Sequence, residues 1–145
     1  MNRFKFKLRT MKVADFGHVR ELWKNSGISL SLSDQPEELA KMLERNPDLC
    51  LVCCETGGKI IGAVLGGFDG RRGWVHHLAV SSDFRHLGIG TMIMKELQGR
   101  FEHLCTAVKL KLEVVSSNME VIAFYKQLGW DERPELVTMT KTLRD

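Results

Sequence analysis

Apolar and polar residues trade places with two different periods along this chain of 145 residues. Near its start Phe4, Phe6 and Leu8 alternate with Lys5, Lys7 and Arg9, the period-two pattern of a half-buried strand whose charged face lies in water. The period then lengthens. Phe16, Val19, Leu22 and Trp23 recur at helical spacing behind Asp15, which is suited to capping, and Gly27 ends the run. "SGISLSLSDQP" reads as a loop. Asp34, followed by Pro36, Glu37 and Glu38, opens a second short helix with Leu39, Met42 and Leu43 as its apolar stripe, fading at Asn46 and Pro47. "LCLVCCE" and "KIIGAVLGGFDG" flank "TGG", a hairpin in which glycine permits the backbone angles of a tight turn. "DGRRG" reverses the chain again, and "WVHHLAV" is the next strand.

Beyond Gly90 the stripe Ile89, Met92, Ile93, Leu97 and Phe101 is helical, and "VKLKLEVV" resumes strand alternation. Ser116, Ser117 or Asn118 caps a further helix carrying Val121, Ile122, Phe124, Tyr125 and Leu128, which Gly129 stops. "LVTMTKTL" is a last strand. The pattern predicts an α+β fold: a mixed, mostly antiparallel sheet of six to seven strands, about four helices, and a parallel crossover in the middle.

Composition changes this picture little. A hydrophobic content of 43% and a formal charge of +3 fit one compact domain over residues 1–145 and dictate no partner by charge alone. Cys50 and Cys53 form a C-x-x-C, but the stretch is apolar and Cys105 stands alone, so the expectation is buried reduced thiols and no metal. The basic opening lacks the apolar run of a secretory signal, and no segment has transmembrane length, which makes the cytoplasm the expected location and a membrane role unexpected. Trp74, Trp130, Arg71 and Arg72 are too few and too scattered for a nucleic-acid face.

The abrupt feature is "HLAVSSDFRHLGIGTMIMKEL", in which Gly88 and Gly90 fall where a strand hands over to a helix. Glycine tolerates the backbone angles of such a turn, and that alone accounts for both positions. A helix start is also an anion site, and Arg85 just upstream adds charge. A P-loop needs a lysine and a hydroxyl residue after its last glycine, which Thr91 and Met92 do not supply. A dinucleotide fingerprint needs a third glycine, and position 93 is Ile.

"LAVSSDFRHLGIG" resembles the R-x-x-G-x-G signature of the GNAT superfamily of N-acetyltransferases, with Arg85, Gly88 and Gly90 in place. "LEVVSSNMEVIAFYKQLGW" resembles the family's second block, in which an Asn opens a helix that delivers a Tyr, here Asn118 and Tyr125. The resemblance runs from the first strand to the last. It implies acetyl-CoA as donor and a primary amine of a small molecule, peptide or protein N-terminus as acceptor, and it leaves a homodimer open. The alternative is a non-catalytic CoA-binding module of the same fold.

The resemblance also implies roles. The amides of His86, Leu87, Gly88, Ile89, Gly90 and Thr91 would wrap the pyrophosphate, with Arg85 adding charge. In such folds the strands on either side of the crossover splay, and Leu78, Ala79 and Val80 would offer main-chain groups to the pantetheine arm, one amide polarising the thioester carbonyl. Asn118, Phe124 and Lys126 are further cofactor contacts carried over from the family.

Acetyl transfer needs a neutral amine. Deprotonating a lysine-like amine at pH 7 costs roughly 4.6 kcal/mol, an α-amino group about 1. Glu113 is the candidate base and Tyr125, the only tyrosine, the candidate acid, a spacing that matches the branch of the family acting on protein N-termini. His76 and His77 are expected to alternate across their strand, one toward the acceptor and one toward the interior or water, and either is an alternative base.

Overall fold

The computed structural model describes residues 5–144, so Phe4 of the first alternation lies outside the described residues. It contains two compact units, one ending at Leu112 and the other running from Glu113 onward.

The larger unit is built on five strands in the order β1-β2-β3-β4-β5: β1 (Lys7–Thr10), β2 (Leu51–Cys54), β3 (Ile60–Phe68), β4 (Gly73–Val80) and β5 (Leu110–Leu112). The first three pairings are antiparallel and the last parallel, as the order of elements predicted. The turns are those read from the glycines: Gly58 donates to Glu55 O at 2.8 Å between β2 and β3, and Asp69 Oδ1 accepts the amides of Arg71 and Arg72, both at 2.7 Å, between β3 and β4.

Two layers of helix cover this sheet. α1 (Phe16–Asn25) and α2 (Pro36–Arg45) lie on one face, where Phe16, Val19, Trp23 and Leu39 form a core with Val52, Ala63, Leu65 and Ala79. α3 (Ile89–Leu104) takes the other face, with Ile89, Ile93, Met94, Leu97 and Phe101 buried. A Cβ added to Gly62, Gly66 or Gly73 would lie 2.8 Å from Ile93, 2.9 Å from Leu97 or 2.6 Å from Phe101, so these strand positions are bare because α3 sits directly on them. Cys50, Cys53 and Cys54 are buried free thiols around β2.

In the smaller unit α4 (Met119–Gln127) starts at Asn118, whose Oδ1 accepts the Val121 amide at 3.3 Å. Gly129, at φ +92°, ends it.

Two sequence expectations change. Five strands form among the described residues, not six to seven, because "LVTMTKTL" does not pair: Leu136, Val137, Met139 and Leu143 are 54–88% exposed. Alternation marks a segment that fits a sheet, but without ladder hydrogen bonds to a neighbour a lone strand does not hold. Asp34 also does not cap α2. Gln35 occupies the cap, and the Asp34 carboxylate turns back to accept the Ser31 amide at 3.0 Å. Among the described residues no helix is long and apolar enough to cross a membrane.

Candidate active site

β4 leads through a single 3-10 turn at Ser82–Phe84 to Arg85, and the chain then passes through two left-handed residues, His86 at φ +64° and Gly88 at φ +80°. Gly88 stands at the N-cap of α3 with no side chain to offer. The first helical bond runs from the Met92 amide to Gly88 O at 3.0 Å, and the amides from His86 to Thr91 have no protein acceptor among the described residues. A Cβ on Gly88 would meet nothing within 4 Å, so the side-chain position at this N-cap faces open space. His86, Leu87 and Gly88 are exposed, whereas Ile89 anchors the turn in the core.

Arg85 donates from Nε to Val80 O at 3.3 Å, which ties the guanidinium to the end of β4 and leaves its terminal nitrogens without a protein partner among the described residues. An open groove of about 480 Å³ beside the turn is lined by Leu8, Gly88, Thr91, Met92, Lys95 and Glu96. Lys95 was not anticipated from sequence. Its signal was available, because it lies one helical turn after Thr91 on the same face.

β4 itself is irregular. Its register with β3 pairs Val80 with Gly62 and Ala79 with Ala63, then resumes at His76 opposite Leu65, so β4 spends one more residue than β3 over this interval. His77 and Leu78 have no register partner on β3. The pairing of β4 with β5 ends at Val75 opposite Leu112, so among the described residues the stretch carrying Leu78, Ala79 and Val80 has a ladder only with β3. Ala79 is buried in the core, and Leu78 and Val80 are half-buried.

The irregularity overturns the expected alternation of the two histidines. His77 takes φ +54°, a conformation that costs of order 1–3 kcal/mol for a residue with a side chain. Its ring packs edge-on against Trp23 of α1 at 5.0 Å, while the His76 ring stacks on Trp74, two residues back, at 6.2 Å. Both histidines therefore face the α1 and α2 side. His77 Nε2 lies 2.9 Å from Asp34 Oδ1, in a pairing that sequence separation hid.

In the smaller unit Glu113 falls just past the end of β5, so it is not the strand residue that its alternation predicted. It is exposed and has no hydrogen bond or ion pair among the described residues. Tyr125 is the buried residue of α4, edge-on to Phe124 at 5.1 Å and to Trp130 at 5.7 Å. Burial pushes its phenol up to about 12. Lys126 Nζ meets Glu132 at 3.1 Å. Asn118, Phe124, Tyr125 and Lys126 are thus gathered on one helix by the local sequence, and Arg85 through Thr91 on one turn.

The profile of the acetyltransferase (GNAT) family matches residues 17–130. An acetyltransferase of Pectobacterium atrosepticum is 33% identical over 138 residues, covering 94% of this chain and 95% of its own. Among solved structures, the ribosomal-protein-S18-alanine N-acetyltransferase of Escherichia coli superposes with a TM-score of 0.75 at 21% identity, covering 89% of this chain and 79% of that one. The PaiA N-acetyltransferase of Thermoplasma acidophilum, solved in complex with coenzyme A, gives 0.74 at 16% identity, with 86% and 88% covered.

Proposed function

Because the chain belongs to the acetyltransferase (GNAT) family, we propose that it transfers an acetyl group from acetyl-CoA to a primary amine of a small molecule, peptide or protein N-terminus. The observation that carries the reading is the run of unpaired amides from His86 to Thr91 at the open start of α3. Gly88 and Thr91 of this run line the open groove of about 480 Å³, and the helix start favours the charge of a diphosphate there. Lys95 lines that groove, and Arg85, just before the turn, adds a second cation with its terminal nitrogens unpaired among the described residues. The residues present therefore fit coenzyme A.

Leu78, Ala79 and Val80 hold the pantetheine arm and the thioester through main-chain groups. The departure of β4 from its regular ladder supports this, since backbone outside a full ladder is what a ligand can use. One amide of this stretch polarises the thioester carbonyl, where negative charge grows as the amine attacks. Asn118, Phe124 and Lys126 are donor contacts by their match to the family's second block.

In the reaction the amine nitrogen bonds to the acetyl carbon, the carbon–sulfur bond breaks, and the sulfur leaves with the electron pair. Tyr125 keeps its proton at every working pH because burial holds the phenol near 12. Full transfer to a thiolate of ordinary pKa about 8.5 is uphill by about 5 kcal/mol, so the phenol serves as a hydrogen-bond donor that steadies the departing sulfur. Solvent then completes the thiol. Glu113, acting through water, and the two histidines of β4 are the candidate bases for the amine.

Release of free thiol from acetyl-CoA, measured against a short peptide with N-terminal alanine, a peptide with an internal lysine, and glucosamine 6-phosphate, tests this function. Turnover with at least one amine is expected. Tight acetyl-CoA binding without turnover on any of them would favour the non-catalytic CoA-binding module.

A further inference from the structure

Asp34 is a carboxylate 5% exposed, and among the described residues it has no lysine or arginine partner. Its Oδ2 accepts the Ser31 amide at 3.0 Å and lies 3.5 Å from Ser31 Oγ, and its Oδ1 faces His77 Nε2 at 2.9 Å. Burying a carboxylate without a cation is costly. One oxygen closes a capping box on the 3-10 turn Leu32–Asp34 through the Ser31 amide, and the other is left to His77. His77 is held from three directions: by Asp34, by the Trp23 ring, and by its own left-handed backbone. Trp23 adds a buried Nε1 donor that has no acceptor among the described residues.

An ionised carboxylate only accepts, so with the ring neutral Nε2 of His77 is the donor of their hydrogen bond and Nδ1 is the nitrogen with a lone pair. No hydrogen bond to Nδ1 exists among the described residues, and the side chain is 27% exposed. A carboxylate orienting an imidazole whose second nitrogen is free is the arrangement that general-base catalysis uses on unrelated folds. Its place in the chain is equally specific. His77 immediately precedes Leu78, Ala79 and Val80, the stretch assigned to the thioester, one residue step of about 3.8 Å away.

We infer that His77 is the base that deprotonates the acceptor amine and that Asp34 is its positioning residue, an assignment that rests on the transferase reading above. An acceptor arriving as an ammonium loses two protons on the way to the amide. His77 Nδ1 takes one as the nitrogen lone pair attacks the acetyl carbon, becoming an imidazolium next to Asp34, and returns it to solvent. The other proton balances the thiolate that leaves. Glu113, exposed and without a hydrogen bond among the described residues, has no comparable support.

The test uses the full chain, acetyl-CoA and the three amines named above. His77→Asn suits the left-handed backbone and keeps a hydrogen-bonding side chain. It is expected to lower kcat about a hundredfold or more while calorimetric affinity for acetyl-CoA stays within twofold. His77→Gly fits the same backbone and leaves a ring-sized gap. Added imidazole is expected to restore at least tenfold of its lost turnover, a response that a structural role would not give. Asp34→Asn is expected to lower kcat with little change in KM, and in the His77→Gly background to remove most of the imidazole effect. A wild type that turns over while His77→Asn matches it, or a His77→Gly that imidazole leaves unchanged, overturns the dyad alone. A wild type that binds acetyl-CoA but acetylates none of the amines overturns the transferase reading and the dyad with it.

Discussion

Tyr125 and Gly88 do opposite things with their side chains. At Tyr125 a phenol is buried until its ionised form is out of reach, and at Gly88 there is no side chain at all. If the phenol serves as a hydrogen-bond donor at the departing sulfur, Tyr125→Phe should cut kcat by one or more orders of magnitude and leave acetyl-CoA affinity nearly unchanged, as steady-state thiol release and calorimetry would record. An unaltered kcat removes Tyr125 from the chemistry. Both residues were legible in the sequence, because a glycine at a helix start and a lone tyrosine four residues after Val121 carry local signals. His77 was not. Its orientation follows from one extra residue in β4 between His76 and Ala79, and period-two alternation assumes a regular strand. Its partner Asp34 is separated from it by 43 positions, and its own signals pointed to a helix cap.

Among the elements, α3 is placed by what β3 and β4 lack. Gly66→Ala would set a Cβ 2.6 Å from the Leu49 carbonyl oxygen and 2.9 Å from Leu97, and backbone cannot yield as a side-chain tip can. A loss of about 1–3 kcal/mol in urea unfolding is expected, and a neutral result would mean that α3 does not sit this close to the sheet. Asn118→Ala should cost about 1 kcal/mol through the lost cap on α4, and weaken acetyl-CoA binding as well if the side chain also touches the donor. The order of helices and strands was readable because both periods were clear and glycines at 27, 58 and 129 adopt the positive φ their turns require. The final segment was misread for a physical reason: its alternation is genuine, but pairing is a property of two strands, and the sequence of one does not supply the other.

Across the whole molecule the titrating groups set opposite limits on stability. Asp15 is held below the usual carboxylate range chiefly by its hydrogen bond from Arg9 at 2.7 Å, so its contribution is present above the ordinary carboxylate pKa and lost as pH falls through the lowered value. Burial raises Cys50 and Cys53 from 9.0 to about 11, so the folded state keeps protons that the unfolded chain has given up. Stability should therefore be complete below pH 9.0 and fall as pH rises toward 11, by roughly 2–3 kcal/mol per thiol. Urea midpoints across this range check the sign, and Cys50→Ala should flatten the alkaline limb. Titration calorimetry of acetyl-CoA into the wild type and Gly88→Glu reads the binding of the donor's diphosphate at the start of α3 with no catalytic step in between. Saturable binding to the wild type is expected, with at least a tenfold loss in the variant, whose carboxylate adds negative charge beside the unpaired amides. Equal affinity in the two proteins, or no heat with the wild type, would contradict binding of the diphosphate there.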